Sequence, residues 1–175
     1  MFELKKIAPE AVPDALEKAL RYRLLNEPLE AESICRDILI MQPDNQSALI
    51  TLLLAVTDQF SKDYGVTCDH AREVLADMGG EYEQAYYAGI VDERWGKAQM
   101  ARGMPTDTAA DWIRQAMRWY EKADALSPPD DPEAALRWNT CARFLDRRSP
   151  SSYDSPTRRL TRDVEAEYGD DVPNR

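Results

Sequence analysis

Apolar residues along this chain recur three and four positions apart, in runs divided by Pro, Gly, Asn and Asp, and that spacing predicts helices joined by short turns. A first helix is expected from about Asp14, with Pro13 and Asp14 as start signals, through Ala15, Leu16, Ala19, Leu20 and Leu24. Asn26-Glu27-Pro28 turns the chain into a second helix carrying Leu29, Ile34, Cys35, Ile38 and Leu39. It stops at Pro43, and Asp44 or Asn45 can cap the next. The third helix, Gln46 to Phe60, is apolar nearly all round between Leu49 and Val56, which predicts burial between two layers. After a longer connection, Ser61 to Thr67, a fourth helix runs from about Asp69 to Met78 and ends at Gly79-Gly80, since glycine is favoured past a helix end. A fifth starts near Glu81, carries Ala85, Ala88, Gly89 and Trp95, and leads to the turn Arg102-Gly103-Met104-Pro105. Thr106 and Asp107 are candidate caps for a sixth, with Trp112, Ile113, Ala116, Trp119, Tyr120 and Ala123. A seventh, Glu133 to about Arg147, carries Leu136, Trp138, Cys141, Phe144 and Leu145.

One pattern occurs twice. Ala31-x3-Cys35-x2-Ile38-x4-Pro43 returns as Ala116-x3-Tyr120-x2-Ala123-x4-Pro128, and Ala71-x3-Leu75-x2-Met78 is a weaker middle copy without the proline. Small residues three or four apart stack on one helix face, so each copy reads as a helix packed tightly on a neighbour. The pattern resembles the second helix of a tetratricopeptide repeat, and Ala19 with Tyr22 supplies the small-x2-Tyr pair of a first helix. The motif alanines lie 40 and 45 residues apart, against a family period of about 34, so the resemblance requires insertions of about 6 and 11 residues. It covers about residues 12 to 145. What it implies is an all-α, irregular tetratricopeptide-like array over residues 1–148: three helix pairs and a C-terminal capping helix, wound as a right-handed superhelix. Residues 149–175 would be a polar Ser/Pro/Arg-rich tail, with a short helix from Thr157 to Tyr168.

Composition narrows the function classes. A chain of 175 residues with 43% apolar content and 7 glycines suits one packed helical domain. Its net charge of −10 repels nucleic acid over most of the surface, so no nucleic-acid partner is expected. The three cysteines, Cys35, Cys68 and Cys141, lack CxxC spacing and read as reduced, buried thiols. The charged N-terminal residues do not read as an export signal, and the apolar stretch Ala48 to Val56 is too short for a span, so a cytoplasmic location with no membrane association is expected.

Catalytic chemistry is thin in the sequence. His70 is the single histidine, which excludes an HExxH zinc site. Cys68 and His70 could offer two metal ligands, but no further Cys or His lies nearby to complete a site, so no metal and no cofactor is expected. There is no GxxxxGK[ST] or GxGxxG phosphate loop. Acidic runs such as Glu81-Tyr82-Glu83 and Asp130-Asp131 read as solvated faces and caps. The aromatic residues Tyr82, Tyr86, Tyr87, Trp95, Trp112, Trp119, Tyr120 and Trp138 read mainly as packing between repeats.

The resemblance implies a non-enzymatic scaffold for protein–protein interaction whose first helices line a concave groove. Mapped onto this chain, the groove residues are Leu16, Leu20 and Arg23, then Ile50, Leu54 and Thr57, then Tyr86, Ile90 and Glu93. Such a groove would take an amphipathic helix or an extended apolar peptide from a partner protein of unknown identity. The alternative occupant is the chain's own N-terminal residues or its tail. A second reading is a dedicated chaperone, because small acidic three-repeat proteins of this length resemble the translocator chaperones of type III secretion; a third is an enzyme of unrecognised type. Residues 143 to 162 carry a net charge of +4, leaving −14 elsewhere, so the tail is expected to dock on an acidic body, its own or that of a second copy in a homo-oligomer.

Overall fold

The computed structural model describes residues 2–62 and 64–148. The expectations for the tail over 149–175, including the helix from Thr157 to Tyr168, lie outside the described residues. Among the described residues there are seven α-helices and no strand, and a short 3-10 turn, Pro9–Ala11, leads in. No helix among them is long and apolar enough to cross a membrane.

Each helix starts and stops where local chemistry allows. Helix α1 (Val12–Leu24) has Pro13 in its first turn, and Pro28 opens α2 (Pro28–Met41), both at positions where a missing N–H costs nothing. Between them Asn26 takes φ 61°, and the Glu27 N–H returns to the Tyr22 carbonyl at 2.9 Å. Of the two candidate caps, Asn45 is used: its Oδ1 accepts from the Ala48 N–H at 3.0 Å and starts α3 (Gln46–Asp58). At the start of α4 (Cys68–Ala76) the His70 Nδ1 accepts from the Thr67 N–H at 3.1 Å, so the single histidine works as a capping group.

Helix α4 ends two residues before the sequence pattern does. Gly80 takes the left-handed conformation at φ 82° just before α5 (Glu81–Ala101), while the Gly79 N–H donates to the Gln46 Oε1 at 2.8 Å. The expected caps of α6 (Thr106–Asp124) are corrected. The helix begins at Thr106 itself, directly after Pro105, with no side-chain cap, so Thr106 and Asp107 are its first helical residues. Helix α7 (Glu133–Asp146) is started by Asp131, whose Oδ1 accepts from the Glu133 N–H at 3.0 Å.

Packing follows the motif. Ala31, Cys35 and Ile38 are each 0% exposed, and so are Ala116, Tyr120 and Ala123, the equivalent residues of the second copy. Ala71 is likewise 0% exposed. Consecutive helices from α1 to α6 pack on one another, and α3 also touches α1 and α5. The apolar third helix is therefore central: Leu49, Leu52, Leu53 and Val56 join Ala19, Cys35, Phe60 and Val91 in one core. Phe60 meets Trp95 edge-on, with ring centroids 5.1 Å apart.

Helices α5 and α6 approach closely, and two glycines make this possible. A Cβ on Gly89 would lie 2.5 Å from the Tyr120 ring, and one on Gly96 would lie 2.9 Å from the Trp112 Cβ and 3.0 Å from the Ala109 carbonyl. Helix α7 and its lead-in join both: Tyr82 donates to Asp131 at 3.0 Å, Trp138 donates to Glu121 at 3.0 Å, and Ala134 packs with Ala85 and Ala123.

Contacts divide the chain into two units with the boundary after residue 141. The second is described from 142 to 148, the end of α7 and the residues after it, where the Arg148 guanidinium lies 4.0 Å from the Phe144 ring centroid.

Candidate functional site

Three consecutive charged residues occupy the middle of α5. In a helix, neighbours in sequence point about 100° apart, so Asp92, Glu93 and Arg94 reach three different partners. Asp92 is 4% exposed; it accepts from the Arg72 guanidinium of α4 at 3.2 Å and from the Trp119 Nε1 of α6 at 3.1 Å. Glu93 is 1% exposed and accepts from the Tyr120 hydroxyl at 2.7 Å and from Lys97 at 2.5 Å, with Arg137 of α7 at 3.6 Å. Arg94 donates to the Leu54 carbonyl, the Thr57 hydroxyl and the Asp58 carboxylate of α3, at 3.2, 2.7 and 2.5 Å. Asp58 also accepts from Arg23 of α1 at 2.9 Å.

The two carboxyls are shifted in opposite directions from their ordinary range. Burial pushes the Asp92 carboxyl above its ordinary range, and the Arg72 charge and the hydrogen bonds from Arg72 and Trp119 only partly offset this. Burial acts the same way on Glu93, but hydrogen bonds from Lys97 and Tyr120 and the charges of Lys97 and Arg137 outweigh it, so that carboxyl sits below its ordinary range. Tyr120 is pushed strongly up by burial and by the Glu93 charge, so its hydroxyl stays a donor. This arrangement holds charge in place and binds helices together.

The nine residues expected to line a groove divide into two groups. Leu20 is 43% exposed, and Leu16, Ile50 and Leu54 are half-buried, Leu16 against Val12, Ile38 and Ala48 and the other two against the main core. Arg23 is half-buried in its pair with Asp58. Tyr86 is half-buried, stacked on Tyr82 at 5.8 Å and donating to Glu133 at 3.2 Å. For Thr57, Ile90 and Glu93 the expected exposure is corrected, since they are 3%, 1% and 1% exposed. Thr57 is covered by Arg94 and Glu93 is closed in by Tyr120, Lys97 and Arg137.

A second concave region lies between α4 and α6, floored by α5. Two adjoining cavities, of about 310 and 360 Å³, share Arg72, Leu75, Ala88 and Trp119 as walls. The walls of this cleft come from three helices, so no single periodicity in the sequence marks them. The one available signal was the row Arg114, Arg118 and Lys122, spaced one turn apart on α6 in an otherwise acidic chain.

The three thiols are free and buried, and burial holds Cys35 and Cys141 at about 12 and Cys68 above its ordinary value. They are poor nucleophiles. Among the described residues no group of three or more His, Cys, Asp or Glu side chains is placed to hold a metal ion. Comparison with protein-family models, with curated proteins and with solved structures gives no match.

Proposed function

We propose that this chain is a non-enzymatic scaffold for protein–protein interaction, built of tetratricopeptide-like pairs α1/α2, α3/α4 and α5/α6 with α7 as a cap. On this reading it seats a peptide or amphipathic helix of a partner protein on the face shared by α1 and α3. One observation supports it above the rest: Arg23 of α1 and Arg94 of α5 both reach Asp58 of α3, so the first helix of each pair presents the same side to a common surface. Apolar area is available beside that junction, since Leu20 and Leu24, one turn apart on α1, are 43% and 88% exposed, and Ile50 and Leu54 are half-buried. Ile90 and Glu93 are enclosed, so the seat is narrower than the sequence suggests and lies on the first two pairs.

The test is comparative affinity capture from extracts of the parent cell, with mass spectrometry, using the wild-type chain, a Leu20→Glu/Leu24→Glu double variant and an Asp107→Asn control. The reading expects at least one protein to be retained by the wild type and the control and lost with the double variant, whose circular dichroism is unchanged. Identical capture by all three would remove the α1 and α3 face as the seat.

A further inference from the structure

The cleft between α4 and α6 is built differently from the α1 and α3 face and lies on another side of α5. Its lining is apolar where Ala88 and Val91 of α5 meet Leu75 of α4. Buried at its base, Asp92 is already bound by Arg72 and Trp119, so the floor offers no uncompensated negative charge. Arg72 is itself held over the Trp112 ring, 5.4 Å from the centroid.

Helix α6 carries two cations held by neutral groups, Lys122 in the wall of the cleft and Arg118 beside it on Gln115. Arg118 is exposed and donates from Nε and Nη2 to the Gln115 Oε1 at 3.1 and 2.5 Å, and Gln115 lines the cleft. Lys122 is exposed, lines the other cavity, and sits 5.7 Å from the Trp119 ring centroid. Neither has a carboxylate partner among the described residues, whereas Arg114, one turn earlier, is paired with Asp111 at 2.8 Å. Two positioned charges without counter-charges, one helical turn apart, beside an apolar floor, are unexpected on a protein of net charge −10.

The geometry points to this cleft as a docking site for an acidic amphipathic helix of a partner protein, with two carboxylates one turn apart meeting Arg118 and Lys122 and an apolar side chain entering over Leu75, Ala88 and Val91. The i, i+4 spacing of the cations fixes the spacing of the anions, because a helix laid along α6 repeats every turn. Volumes of about 310 and 360 Å³ suit inserted side chains better than a folded surface.

The probe is a fluorescein-labelled, end-blocked amphipathic peptide with Glu pairs one turn apart on one face and Leu on the other, and a twin with Lys in place of every Glu. Fluorescence anisotropy is read for the full chain at low and high salt. We expect the Glu peptide to bind and the Lys peptide to bind at least about tenfold more weakly. Salt should weaken the Glu complex, since both cations are exposed. Arg118→Gln with Lys122→Gln should lower Glu-peptide affinity about tenfold or more at unchanged circular dichroism, because both are surface residues. A Leu20→Glu/Leu24→Glu variant should bind the Glu peptide as the wild type does, which separates this site from the α1 and α3 face. No binding of the Glu peptide, equal binding of the Lys twin, or binding lost with the Leu20 and Leu24 variant but kept without Arg118 and Lys122, would each overturn the assignment.

Discussion

Helices α3 and α5 both lie among several neighbours, yet they are buried by opposite means. Helix α3 is apolar on almost every side, with Leu49, Leu52, Leu53, Ala55 and Val56 at 3% exposure or less, and its burial is non-directional. Helix α5 buries Asp92 and Glu93, half-buries Arg94, and satisfies all three through partners on α3, α4, α6 and α7. Apolar burial tolerates repacking, whereas a buried charge must keep its own partner. One helix thus supplies stability, and the other fixes which neighbours sit where.

One apolar truncation in α3 and one charge removal in α5 separate these roles. Leu53→Ala should cost about 2–5 kcal/mol in chemical denaturation, with little dependence on pH. Glu93→Gln should cost about 3 kcal/mol near neutral pH, the lower end for a broken buried pair, because Lys97 and Arg137 remain partly hydrated. The Glu93 carboxyl is held below its ordinary value, so its stabilisation is present above the unfolded-state value and is lost as pH falls through the lowered folded value. The deficit of Glu93→Gln should therefore shrink in acid while that of Leu53→Ala persists. A deficit unchanged down to strongly acid pH would show that Glu93 acts by shape alone.

A smaller effect is expected at the α5 and α6 seam. Gly89→Ala puts a methyl 2.5 Å from the Tyr120 ring, and the displacement should cost about 1–3 kcal/mol. Because Tyr120 donates to Glu93, the variant should also weaken the pH dependence just described, and additive behaviour with Glu93→Gln in a double-mutant cycle would contradict that coupling.

The smallest effect belongs to Asp92. Its carboxyl is raised by burial, so between the unfolded value and the raised folded value the native state holds the proton more tightly, and stability falls as pH rises through that window. Asp92→Asn should abolish that fall while changing neutral-pH stability by about 1 kcal/mol or less, since Arg72 is half-exposed and regains water. An unaltered slope across that window would move the raised carboxyl elsewhere.

The same contrast explains what the sequence disclosed. Burial of α3, of the Ala31 and Ala116 seams and of the helix boundaries near Pro13, Asn45, Glu81 and Gly103 follows from periodicity and turn chemistry, which are local. The burial of Asp92 and Glu93 and the half-burial of Arg94 do not, because three charges in a row read as a solvated face unless their partners at Arg72, Tyr120, Arg137 and Asp58 are known. Those partners lie 20 to 44 residues away in sequence. The repeat resemblance puts Ile90 and Glu93 on an open groove, whereas both are enclosed. Gly89 and Gly96 carry a signal, being seven residues apart on one helix face, but only the α6 side chains opposite give it meaning.

The most direct test compares two residues that the repeat pattern treats as equivalent, Leu54 of α3 and Ile90 of α5, by thermal unfolding of Leu54→Glu and Ile90→Glu followed by circular dichroism. Leu54 is half-buried and Ile90 is 1% exposed. Leu54→Glu is expected to keep a cooperative helical transition at a modestly lower Tm, while Ile90→Glu loses that transition. Equal tolerance at both positions, or loss of the fold at Leu54, would contradict it.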